Sequence, residues 1–154
     1  MTTAYRFDDR NIQWRTLGDF DHFVYAILDI DKANYIADLV FKFDPHQPII
    51  LHRHKVLNKT FVIQGEHRIL EPNGDLKEIR SVGSYTSSPA NPEPHRECGG
   101  DEGAVVFFSI RANNIADVLY ELLDNRQSLI GTLTMQDLID LHEVDKQLLK
   151  NTKS

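Results

Sequence analysis

Short apolar segments separated by turn-forming residues constrain the fold of this chain more than any other feature. Segment 34–43 places Tyr35, Leu39 and Phe43 on one face, while the other face alternates apolar and charged residues, so one face is more apolar, as in the two-residue period of a β-strand. Similar segments recur about every 8–12 residues, at residues 11–17, 23–31, 34–43, 59–64, 66–70, 76–80, 82–86 and 104–111. Many short strands joined by turns rich in Gly, Pro and Asn predict an all-β sandwich or barrel.

The C-terminal part of the chain has a different pattern. Apolar residues at helical spacing within 114–123 predict a short helix or turn. Thr134 is a favourable N-cap with Asp137 three residues later, and an apolar stripe follows. The stripe contains Met135, Leu138, Ile139, Leu141, Val144, Leu148 and Leu149. We therefore predict a helix over 135–150.

Length and composition favour one soluble domain. The chain has 154 residues and a net charge of −6, without a basic run that would favour nucleic acid or an anionic membrane. No apolar run approaches the roughly 18 residues that a membrane span needs, and no signal peptide is recognised at the N-terminus. A single cysteine, Cys98, cannot form an internal disulfide. These features predict a cytoplasmic protein.

Three histidines have the pattern of a metal site. His52 and His54 follow an apolar run and are two residues apart, so on a strand both side chains project from one face. His95 follows a proline-rich segment that would hold a third imidazole in place. Three protein ligands leave positions for water or substrate, which is typical of catalytic metal sites. One divalent metal is therefore expected.

These residues carry a resemblance to the cupin family over residues 50–110. The first cupin motif is similar to the segment from His52-Arg53-His54 to Gly65, and the second to the segment from Gly83 through Pro89 to His95. Asn58 stands where cupins usually have a glutamate ligand, Asn91 replaces a glycine, and His95 is one residue late. The resemblance implies a double-stranded β-helix, or jelly-roll barrel. We expect residues 1–154 to form one domain with a core over 34–111 and a C-terminal extension over 114–150.

The absence of a glutamate at position 58 indicates which group of cupins the chain resembles. A site with three histidines and no carboxylate is similar to that of the cupin dioxygenases that cleave acetylacetone or dihydroxyacetophenone. This resemblance implies Fe(II), O2 and a small diketone, aryl ketone or phenolic substrate, with zinc or nickel also acceptable to the ligand set. A non-catalytic cupin that senses a small molecule and a metal-dependent isomerase or hydrolase are the alternatives. Small cupins commonly form dimers, and a homodimer is expected.

Further residues are candidates for the chemistry. Glu97 could orient an imidazole or act as a base, or it could be an exposed loop carboxylate. Arg68 and Arg111 could neutralise a bound enolate, or be solvated. Tyr85, with Phe61 and Phe108, is expected to line the barrel and its pocket. Asn58 could be a weak ligand or a loop residue, and His67 could face inward.

Overall fold

A computed structural model describes residues 6–152, except for the side chains of residues 149–152. These residues contain nine strands and one helix. The strands are β1 (Phe23–Asp31), β2 (Ile36–Phe43), β3 (Leu51–His54), β4 (Leu57–Leu70), β5 (Leu76–Ser81), β6 (Tyr85–Ser88), β7 (Arg96–Arg111), β8 (Val118–Leu123) and β9 (Leu129–Thr134); the helix is α1 (Met135–Thr152). This is the predicted all-β architecture with a C-terminal helix.

The strands form two sheets that enclose an apolar core. The larger sheet has the order β1-β2-β7-β4-β5, with β6 also paired to β4, and the smaller sheet has the order β3-β8-β9. All named strand pairs are antiparallel. One core cluster contains residues from both sheets and from α1, including Leu39, Val106, Leu119 and Leu138. Burial of these side chains between the layers is what holds the two sheets face to face.

The two longest strands, β4 and β7, bend where their register shifts. The shifts lie between Val62 and Gln64 and between Gly65 and His67, as β-bulges do. Gly65 has a φ of 75°, and a Cβ atom there would collide with the backbone of Gly103. The strand therefore bends at this residue, and only glycine fits the bend.

The C-terminal helix is capped as its sequence predicts. The backbone N–H of Asp137 donates to Oγ1 of Thr134 over 3.1 Å, and the N–H of Thr134 donates to Oδ2 of Asp137 over 2.8 Å. Met135, Leu138 and Ile139 are buried. Further along the apolar stripe, Val144 and Leu148 are about half exposed, and the side chain of Leu149 lies outside the described residues.

Three sequence-based predictions of secondary structure are wrong. Residues 11–17 form no strand, because only Arg15 pairs, in an isolated bridge to Tyr25. Residues 118–123 form strand β8 and not a helix, since the strand is paired on both sides by β3 and β9. The glycine-rich segment 99–103 predicts a turn but is part of β7, which reaches back to Arg96 because its first half pairs with β4.

Candidate metal centre

His52 and His54 project from β3 into the space between the sheets, as their two-residue spacing predicts. His52 is 4% exposed and His54 is 8% exposed. His95 immediately precedes β7 and pairs with His52 through its backbone. The N–H of His95 donates to the carbonyl of His52 over 2.9 Å, and the reverse bond measures 3.1 Å. The two cupin-like motifs are therefore joined at the histidines themselves.

Glu97 completes a group of four potential ligands. One ligand atom from each of His52, His54, His95 and Glu97 lies within 4.8 Å of the others. The interpretation of Glu97 as an exposed loop carboxylate is wrong, since Glu97 lies on β7 and is only 3% exposed. His95 and Glu97 are two residues apart and face the same side, as His52 and His54 do. A carboxylate thus accompanies the three imidazoles. It comes from β7, whereas the glutamate of the cupin motif would be at position 58 on β4.

The hydrogen bonds of the histidines leave nitrogen lone pairs facing each other. Nδ1 of His52 lies 2.8 Å from the carbonyl oxygen of Ile50, and because that oxygen can only accept, Nδ1 must carry the proton. Nε2 of His52 lies 3.0 Å from Oε2 of Glu97, so a proton on this nitrogen would be donated to the carboxylate. Nε2 of His54 and Nε2 of His95 are buried without a hydrogen-bond partner. A metal ion between these atoms would satisfy all of them.

The electrostatics of the group favour neutral imidazoles at His54 and His95 beside an ionised carboxylate at Glu97. Burial, together with the neighbouring charges of His52 and His95, holds the pKa of His54 well below its usual range. Burial, and then the charge of His52, lowers the pKa of His95 to about 4. Burial alone would raise the pKa of Glu97, but its contacts with His52 and His67 outweigh this and hold it well below its usual range. Neutral imidazoles and ionised carboxylates are the forms that bind metal ions.

His67 holds the carboxylate from the opposite side. Its Nε2 lies 2.9 Å from Oε1 of Glu97, and its side chain is fully buried. The ring stacks on Phe43 at a centroid distance of 5.2 Å and contacts Phe108 edge-on. His67 therefore contacts the carboxylate of Glu97 and is not one of the four grouped ligands.

Asn58, the residue in place of the usual cupin glutamate, forms hydrogen bonds away from the ligand group. Its Oδ1 accepts from the hydroxyl of Tyr120 over 2.6 Å, and its Nδ2 donates to the carbonyl of Val56 over 3.0 Å. Burial holds the pKa of Tyr120 well above its usual range, so the hydroxyl stays a donor. The Tyr120 ring also packs edge-on against His54. Asn58 and Tyr120 thus form part of the wall behind the imidazoles.

Two cavities meet at the ligand group. The larger, of about 300 Å³, is lined by His54, His95 and Glu97 and by polar residues of β5 and of the segment 88–91. The smaller, of about 50 Å³, reaches His52 and Glu97 from the apolar core, between side chains such as Phe41 and Leu133. A small molecule in the larger cavity would therefore contact the ligand group directly.

Two of the candidate catalytic residues lie outside this group. Arg68 faces away from the core and pairs with Glu66 at 2.6 Å. Tyr85 is 59% exposed and is paired across β6 and β4 with Phe61, which is 43% exposed. Neither Tyr85 nor Phe61 lines the barrel, because both occupy the outward parity of their strands. Phe108, the third residue predicted to line it, is 2% exposed and borders both cavities.

Sequence reasoning missed two residues near the ligands. Arg80 lies on β5 and lines the larger cavity. Tyr120 lies on β8, in the segment that was predicted as a helix or turn. The pairing of β5 with β4 and of β8 with β3 places them there, and a single sequence does not give this register.

The donor set fits a divalent metal ion. Imidazole nitrogens bind ions such as Fe, Ni and Zn at about 2.0–2.2 Å, so two ligand atoms on opposite sides of one ion are about 4.2 Å apart. The grouped atoms, within 4.8 Å of each other, need only small shifts to reach that spacing. With Glu97 as a fourth ligand, the net charge of the centre would fall to about +1.

Comparisons of the structure with solved structures establish the cupin fold. An RmlC-like cupin protein from Ralstonia eutropha has a TM-score of 0.70 at 13% identity, over 95% of this chain and 88% of that one. An acetylacetone dioxygenase from Acinetobacter johnsonii has a TM-score of 0.67 at 10% identity, over 91% of each chain. The polyketide cyclase RemF from Streptomyces resistomycificus has a TM-score of 0.52 at 14% identity, over 86% of this chain and 85% of that one.

The chain is thus a cupin-fold protein with a candidate metal centre, and the predicted fold class is confirmed. Its sequence matches no protein-family model and no curated protein. Within the described part of the chain, no helix has the length and apolar character needed to cross a membrane.

Proposed function

We propose that this protein is a metal-dependent cupin dioxygenase that cleaves or oxidises a small diketone, aryl ketone or phenolic compound. The convergence of three imidazole nitrogens and one carboxylate beside a cavity of about 300 Å³ is the observation that carries this proposal. The acetylacetone dioxygenase of similar fold supports it. Fe(II) is the proposed metal, with one ion per chain, and O2 and a small molecule are the proposed substrates.

The bound ion would supply Lewis acidity toward a chelating substrate and one-electron chemistry with dioxygen. His52, His54 and His95 would bind the ion. The carboxylate of Glu97, beside His52, would stabilise its positive charge. Because its contacts favour the ionised form, Glu97 suits charge stabilisation better than proton abstraction. The apolar side chains around the smaller cavity would exclude water from one side of the centre.

A metal-dependent enzyme that uses its ion only as a Lewis acid is a second candidate. The polyketide cyclase of similar fold supports it. In this case the same residues would hold the ion and polarise a carbonyl without oxygen. Such an enzyme would convert its substrate equally well under nitrogen.

Oxygen consumption tests the proposal. The protein is loaded with Fe(II) without air and mixed with a panel of β-diketones, hydroxyacetophenones and catechols. We expect consumption of O2 that requires substrate and is lost in the His54→Ala variant. Substrate conversion without O2 would support the Lewis-acid candidate, and no consumption across the panel would contradict the dioxygenase proposal.

A further inference from the structure

Arg80 faces the interior of the barrel. It is the antiparallel partner of His67 in the pairing of β5 with β4, and paired residues lie on the same face of a sheet. His67 is fully buried, and the side chain of Arg80 is only 15% exposed. The guanidinium therefore lies on the inner side of the sheet, in the wall of the larger cavity.

The guanidinium is only partly paired. One amino group, Nη2, donates to Oε2 of Glu78 over 3.1 Å, while the Nε–H is buried without a hydrogen-bond partner. The side chain of Glu78 is 48% exposed, so this pair is at the solvent side of the cavity. A buried donor of a charged group without an acceptor is costly, and an incoming oxygen anion would relieve that cost.

The charges around the cavity leave Arg80 available to a ligand. The charged side chains in its wall, besides the histidines, are Lys77, Glu78, Arg80 and Glu97. The ion pair of Arg80 is with Glu78, and among the described residues none joins it to Glu97. Arg80 and the ligand group thus border the same cavity without neutralising each other.

We infer that Arg80 binds a carboxylate of the substrate, so that the substrate is a small chelating keto acid and not a neutral diketone. The inference rests on the proposed function for the part of the substrate that chelates the metal, and on Arg80 for the carboxylate of the substrate. Guanidinium groups bind carboxylates through two parallel N–H donors, and Arg80 lies in the cavity wall with an Nε–H that has no acceptor. A cavity of about 300 Å³ suits a ligand of this size.

Binding to the Co(II)-loaded protein without oxygen tests this inference separately from catalysis. Acetylacetone and acetylpyruvate share a β-diketone unit, and acetylpyruvate adds a carboxylate. Calorimetry gives their dissociation constants, and the visible absorption of Co(II) reports coordination. We expect the protein to bind acetylpyruvate roughly 10–100-fold more tightly than acetylacetone, as for a charge-assisted hydrogen bond. Arg80→Gln should lose most of this preference, and Arg80→Lys should keep part of it.

Arg68→Gln is the matched control, because Arg68 lies on the adjacent strand and faces outward toward Glu66. It should keep the full preference. Equal binding of the two probes by the unmodified protein, no binding of either, or an unchanged preference in Arg80→Gln would overturn the inference. If Arg80→Gln loses the preference but the Fe(II) protein consumes no oxygen with any substrate, the dioxygenase proposal fails and the inference stands.

Discussion

Nε2 of His67 lies 2.9 Å from Oε1 of Glu97, and both side chains are buried. The other carboxylate oxygen lies 3.0 Å from Nε2 of His52. Glu97 therefore connects His52 of the candidate metal centre with His67 on β4. The ring of His67 is packed against the rings of Phe43 and Phe108. We infer that His67 sets the orientation of the carboxylate.

Replacement of His67 by Phe keeps an aromatic ring beside Phe43 but leaves Oε1 of Glu97 buried without a partner. We predict that the free energy of unfolding of the metal-free protein falls by about 2–4 kcal/mol. Urea denaturation measures this free energy of unfolding. The double variant His67→Phe/Glu97→Leu should lose less than the sum of the single variants, because no buried charge then remains unpaired. Strict additivity would show that the two side chains do not interact.

Removal of the Tyr120 hydroxyl leaves Oδ1 of Asn58 without its donor in a buried position. Tyr120→Phe should lower the free energy of unfolding by about 1–3 kcal/mol. Tyr85→Phe is the matched control, since Tyr85 is exposed, and should change stability by less than about 0.5 kcal/mol. Equal effects of the two substitutions would contradict the role of the buried pair.

The metal-free protein should lose stability as the pH falls from 6.5. The pKa of His95 is lowered from 6.5 to about 4, and that of His54 is also lowered. Between these values the unfolded chain binds more protons than the folded protein, so stability decreases as pH decreases, and each histidine contributes up to about 1.4 kcal/mol per pH unit. Unfolding by urea between about pH 4.5 and 7.5 gives the slope. We predict a shallower slope for His95→Asn; an identical slope would show that His95 titrates normally.

Glu97→Gln should weaken the binding of Co(II) by about 10–100-fold, because the neutral amide cannot stabilise positive charge beside His52. The absorption of bound Co(II) gives the affinity. Glu66→Gln removes a carboxylate that pairs with Arg68 at the surface, and its affinity should match that of the unmodified protein. A full affinity in Glu97→Gln would mean that the three histidines alone determine metal binding.

The sequence predicts much of the fold because β-strand periodicity is local. Segment 23–31 coincides with β1, and β4 is joined to β5 through Asn73-Gly74, a residue pair that favours tight hairpin turns. The errors lie where partners far along the chain decide the structure. Residues 118–123 have a helix-like apolar pattern, but β3 and β9 hydrogen-bond to their backbone and make them a strand.

The same limit applies to the candidate site. The two-residue rule that relates His52 to His54 also relates His95 to Glu97, so the sequence could have indicated the fourth ligand. The positions of His67 and Arg80 depend on the register of β4, β5 and β7 and on the bulge at Gly65, which no local pattern specifies. The same uncertainty of register explains why Tyr85 was wrongly predicted to line the barrel and why the sequence left Arg68 open between an inward and a solvated position.

Anomalous diffraction from crystals of the Co(II)-loaded protein tests the metal centre most directly. We predict one strong peak per chain, about 2.0–2.2 Å from Nε2 of His52, His54 and His95 and beside the carboxylate of Glu97. The histidines would need only small shifts, because the grouped ligand atoms already lie within 4.8 Å of each other. A map with no peak among these residues, or with its strongest peak elsewhere, would contradict the assignment.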